Sequence, residues 1–225
     1  MTANLEHVHG LIEQLRKEAI GKPKWIDSKQ VFEYDDHTAK TVAVLKLARA
    51  AQGITALSVL CKEGLFIDMG ASIRCVNDCL EDAYFLLEDY PKSSTNVDKY
   101  VKGFFENTID GYEAVETPPV LRQKIRSAMV RVLKGGQDEA MRKIMERIYT
   151  AFCGYVHANY AHIMEVYNGG TDDFNLAGVP STELRARRMQ QFELAANSLL
   201  HAAAFTAHKL GLDALRDAMA SAIDQ

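Results

Sequence analysis

Residues 149–167 read Tyr-Thr-Ala-Phe-Cys-Gly-Tyr-Val-His-Ala-Asn-Tyr-Ala-His-Ile-Met-Glu-Val-Tyr. The stretch has helical composition and is apolar or aromatic on every side, yet it carries His157, Asn159, His162 and Glu165. A helix that is apolar all round belongs inside a bundle. The residues just before it, from Asp138 to Arg147, are dense in charge. One central helix over about residues 137–168 is therefore expected to leave solvent after Gly135-Gly136, enter the core, and stop at Asn168-Gly169-Gly170. A membrane span over the apolar part is excluded, because the two histidines, Asn159 and Glu165 would each enter hydrocarbon at a cost of kilocalories.

Working outward, the same periodicity recurs along most of the chain. Leu5, Val8, Leu11, Ile12, Leu15 and Ala19 make one apolar face of a helix over residues 4–20, which Gly21 and Pro23 end. Thr38 caps a long helix over residues 39–62, and Gly64 breaks it. A helix over residues 67–89 runs to Tyr90-Pro91, followed by helices over residues 96–113 and 120–133. For the second of these, Thr117 is the expected cap and Pro118 sits in the first turn. Residues 181–210 and 212–223 complete the set. Residues 22–37 contain Trp25, Val31, Phe32 and Tyr34 without a helical period, and read as a loop with room for a short extended piece, either a packed connection whose aromatic residues plug a groove or a lid. No β-branched alternation is long enough for a sheet. The expected fold is an all-α, single-domain bundle of about seven or eight helices spanning residues 1–225.

Composition narrows the function classes. The chain has 225 residues, 48% apolar and 25% charged, with a net charge of -4. It offers no global attraction to a phosphate backbone, so any nucleic-acid contact must come from a local basic patch. The first residues lack a basic-then-apolar export signal, which predicts a cytoplasmic protein. Cys61, Cys75, Cys79 and Cys153 have no paired CxxC spacing, so neither zinc nor a disulfide is expected. No metal and no cofactor is implied: a di-iron bundle needs Glu-x-x-His, and His162-x-x-Glu165 is the reverse order.

The polar residues inside helical stretches are the candidates for function. Arg74, Asp78 and Glu81 fall in one line on the third helix, as a surface ion pair or as part of a site. His157 shares a face with Cys153, and His162 shares another with Tyr155 and Glu165. The two histidines lie about 140° apart around a helix, so one metal ion cannot join them. Each is either a neutral imidazole satisfied in the core or a site residue. Gly154 costs about 1 kcal/mol against alanine in mid-helix, which is tolerable where another group comes close. Glu193, Asn197, His201 and His208 form a further polar stripe on the last long helix.

The spacing Tyr149-x-x-Phe152-Cys153-x-x-Val156-His157, with Arg74-x-x-x-Asp78 on an earlier helix, resembles a widespread bacterial family of helical proteins of unassigned function. That family shows a Tyr-x-x-Leu-Ser-x-x-Val-His motif and an earlier Arg-x-x-x-Glu helix. Here cysteine stands for the serine at Cys153 and aspartate for the glutamate at Asp78. The resemblance covers about residues 40–168, and the family is itself similar to HEPN ribonucleases and their inactive relatives in bacterial defence systems. Those enzymes carry arginine and histidine on one helix; in this chain the arginine before His157 is Arg147, which points elsewhere. Helix count, net charge and the lack of a compact catalytic motif favour a non-catalytic helical binding or regulatory module, either a partner in a defence or stress complex or a small-ligand sensor; the alternative that the resemblance implies is a ribonuclease or nucleotide-binding enzyme. In the second case His157 is the acid–base group, with Arg74 and Asp78 as catalytic partners and Arg74 on a phosphate. Tyr149, Cys153, Asn159 and His162 are the candidate ligand-binding residues. A protein partner or self-association is expected, with RNA or a nucleotide as the ligand of the enzymatic alternative.

Overall fold

The computed structural model describes residues 5–28, 30–106 and 120–223, and they form an all-α bundle. Its centre is α2 (Ala39–Glu63), opened by Thr38, whose side chain accepts from the Thr41 N–H, and closed by Gly64 in the left-handed region at φ 73°. Val44, Leu47, Ala50, Ile54 and Leu57 on α2 are fully buried. By length and composition α2 could cross a membrane. In the fold it is a core helix, packed against α1 (Leu5–Ile20), α3 (Phe66–Leu87) and α8 (Thr182–Lys209). Small residues on α8, including Ala195, Ala196, Ala202 and Ala203, let it approach closely. The other side of α3 meets α5 (Arg122–Lys134) and α6 (Glu139–Val156). α4 (Thr95–Glu106) rests on α2, and α9 (Asp213–Ile223) seats Leu215 and Met219 against α8 and α1.

The helix expected over residues 137–168 differs from this in two ways. It stops at Val156, and it lies at the edge of the bundle: on α6 only Gly154 and Tyr155 are buried. His157 is the C-cap, and Ala158 turns the chain through a positive φ of 50°. The chain then folds back as a single turn, α7 (Tyr160–Ile163), a 3-10 turn (Met164–Val166) and a small hairpin, β3 (Tyr167–Asn168) with β4 (Asp173–Phe174).

A left-handed alanine is unfavourable by about 1–2 kcal/mol, and packing offsets it. Reversal lays the His162 ring over the gap at Gly154, where a Cβ would stand 2.1 Å from His162 Cε1. Tyr155, in turn, lies on the bare backbone of α3, where a Cβ on Gly70 would stand 2.4 Å from Tyr155 Cγ. Within the connection over residues 22–37 the extended piece is a hairpin, β1 (Lys24–Ile26) with β2 (Val31–Glu33); its Trp25 and Phe32 pair across the strands and are exposed instead of plugging a groove. Thr117, Pro118 and the last part of the helix expected over residues 96–113 lie outside the described residues.

Two glycines test this packing in opposite directions. Gly70→Ala forces the Tyr155 ring off α3 and is expected to cost about 1–3 kcal/mol in urea unfolding. Gly10→Ala, in open space on α1, is expected to add up to about 1 kcal/mol of stability. Equal effects from the two would contradict the close approach of α3 and α6.

Candidate functional site

Charge is concentrated where α3, α5 and α6 meet. Glu81 and Asp82, on α3, are 3% and 1% exposed, inside a run that is otherwise apolar through Leu87. Charges this deep persist only when paired. Arg122 supplies most of the pairing: it bonds Asp82, Glu81 at 2.9 Å and Asp78 at 2.7 Å. Arg126, one turn later on α5, donates Nε to the other oxygen of Glu81 at 3.1 Å. From the far side Lys46 of α2 reaches Asp82 at 2.9 Å, and the Tyr100 hydroxyl of α4 donates to it at 2.6 Å.

These partners set the protonation states. Burial pulls the Lys46 ammonium down, but Asp82 and Tyr100 beside it more than offset this and leave it above an ordinary lysine. Burial raises the Glu81 carboxyl, and Arg122 and Arg126 only partly oppose that. Tyr100 is raised by burial and by the neighbouring Asp82 charge.

Five of the residues singled out from sequence meet at this junction, Glu81 among them. Arg74 pairs with Asp78, and the Arg74 guanidinium lies 3.8 Å from the centre of the Tyr149 ring. Arg126 covers the other face at 4.0 Å, so Tyr149 is held between two guanidiniums. Cys153, one turn after Tyr149 on α6, is a further neighbour of Arg74. His157 is exposed at the C-cap of α6, and Asn159 is exposed beyond it. His162 belongs to a second cluster, edge-on to Tyr155 at 4.2 Å. There the Tyr155 hydroxyl donates to Glu165 at 2.8 Å and accepts from Arg188 of α8 at 2.8 Å, while Arg188 also pairs with Glu165.

Beside the first cluster runs a groove of about 430 Å³ between α3, α5, α6 and α8. Ile73, Leu80, Met129, Met145, Phe152 and Ala195 line it. Leu133, Ile148 and Leu194, also lining residues, are exposed. Polar groups enter at Asn77, Glu81, Gln191, Ser198 and His201. Gln191 in turn accepts from Arg188 at 3.0 Å, so the groove touches both charged clusters. Among the described residues no three His, Cys, Asp or Glu side chains converge to hold a metal ion. No family model, curated protein or solved structure matches the chain.

Sequence reasoning found the α3 stripe and missed Arg122, Arg126, Lys46, Asp82 and Tyr100. A usable signal existed: two adjacent acids in an otherwise apolar run demand cations, and Arg122 and Arg126 one turn apart can supply them.

Asp82→Ala leaves Lys46 and Arg122 facing each other without their shared anion, with an expected loss of about 3–5 kcal/mol in denaturant unfolding. Arg187→Ala, on an exposed ion pair with Glu183, is expected to leave the midpoint unchanged. The thiols give a second check. Burial pushes Cys79 up to about 11, leaving about one thiolate per thousand at pH 8. Cys61 is also raised by burial, while Cys75 is exposed. An aromatic disulfide reagent is therefore expected to titrate Cys75 in the native protein, and Cys61 and Cys79 only after unfolding.

Proposed function

We propose that this chain is a non-catalytic helical binding module that takes a small, mainly apolar molecule into the groove between α3, α5, α6 and α8. The observation that carries the reading is the groove itself. Its volume is about 430 Å³, within the range of small-molecule sites, and it combines an apolar lining with a few converging polar groups. The surrounding arginines favour a structural use of the charged cluster over a catalytic one. Arg74 is engaged by Asp78, Arg122 by three carboxylates and Arg126 by Glu81. A phosphate would have to compete with those anions. His157, on the solvent side of the α6 terminus, has no enclosure in which to act as an acid–base group.

A regulatory role follows from the position of the groove. Filling it presses on Gln191 and Glu81, which belong to the two networks that fasten α6 and α5 to the core. Such a module fits the defence or stress setting that the sequence resemblance implies.

Titration with the neutral dye Nile red is expected to give a saturable fluorescence rise at one dye per chain. Ser198→Phe, which fills the groove from α8, is expected to abolish it while leaving the melting temperature near that of the parent. Linear, unsaturable dye uptake, or uptake that ignores Ser198→Phe, would remove the reading. RNA incubated with the protein is expected to stay intact; cleavage lost in His157→Ala would establish the enzymatic alternative instead.

A further inference from the structure

Glu81 has a dual position. It is 3% exposed and serves the Arg122–Arg126 network, yet it also lines the groove. Each of its carboxylate oxygens accepts one arginine bond, Oε1 from Arg126 Nε at 3.1 Å and Oε2 from Arg122 Nη2 at 2.9 Å. A carboxylate has about four lone-pair sites, so acceptor capacity remains. Among the described lining residues Glu81 is the only carboxylate, and no lysine or arginine joins it.

Charge on a ligand head is disfavoured in both signs. An anion would face the Glu81 carboxylate in an apolar surround, with no lysine or arginine among the described lining residues to receive it; His201 of α8, also a lining residue, is exposed to solvent. A cation would meet Glu81 backed at once by two guanidiniums. A neutral O–H or amide N–H has neither cost, and it gains a charge-assisted bond to a buried acceptor.

Resting on the groove reading above, we propose that the ligand is an uncharged amphiphile, an apolar body bearing a hydroxyl or amide donor that seats against Glu81. The donor fixes the depth of insertion, and Asn77, one turn earlier on α3, stands beside it on the groove wall. Glu81 is then the residue that sets head-group specificity.

The test uses ligands of one size and different heads, displacing Nile red at pH 7. 1-Decanol is a donor; methyl nonyl ether is its isomer without one; decanoate carries the anion and decylammonium the cation. 1-Decanol is expected to bind about tenfold or more tighter than the ether, and both charged heads are expected to bind more weakly than the alcohol. Glu81→Met together with Arg126→Met removes the pair as a unit, which spares the fold an unpaired buried charge, and is expected to erase the preference of alcohol over ether. Alcohol and ether binding equally well to the parent protein would overturn the head-group assignment and leave the groove reading standing. Decanoate or decylammonium binding tightest would do the same. If none of the four displaces the dye, and Ser198→Phe changes nothing, the groove reading fails and the assignment falls with it.

Discussion

The carboxylate of Asp82 is the charge that this bundle is assembled to neutralise. It is 1% exposed, and Lys46, Tyr100 and Arg122 reach it from α2, α4 and α5. Four helices thus meet at one anion on α3. Apolar contact alone tolerates sliding of one helix along another; hydrogen bonds from three directions do not. The position of α5 follows from Arg122 and Arg126, and that of α6 follows from Tyr149, which lies between Arg126 and Arg74. The groove exists because α5 and α6 are held at that distance from α8.

Most of the fold was legible in the sequence, because most of it is local. Thr38 and Ser181 cap their helices as serine and threonine do when a backbone N–H needs an acceptor. Gly64 and Gly211 turn the chain through left-handed backbone. What failed was the continuation past Val156. Tyr160, Ala161 and Met164 suit a helix, and nothing local forbids one. The reversal is decided by distant groups: Arg188 on α8 holding Glu165, and the bare backbone at Gly154 receiving His162. Gly154 was the one sign in the sequence that something must come close. The pairing of Tyr155 with His162 and Glu165, inferred from helical spacing, is present but arises from a chain folded back on itself.

The candidate site divides in the same way. Arg74, Asp78 and Glu81 share a helix, so their alignment can be read from spacing. The convergence of Tyr149 and Cys153 on Arg74 needs a second helix, whose placement no local spacing fixes. Arg122 and Arg126 carry no local mark of their destination, and the groove has none at all. It is lined from four helices, and the distances between those helices are properties of the assembled core.

The central place of α2 also bears on how the chain is made. This is the helix whose length and composition would suit a bilayer, and α8, which buries one side of it, does not begin until Thr182. During synthesis, at about 5–20 residues per second, α2 waits many seconds with α1, α3 and α4 for shelter. Those neighbours lie close to it in sequence and pair with it early, since local contacts close fastest. The stretch left bare is the strip that the alanines of α8 later occupy. The order of the helices therefore places the hazard of aggregation in one interval of the protein's life on the ribosome, and it ends when the last long helix emerges.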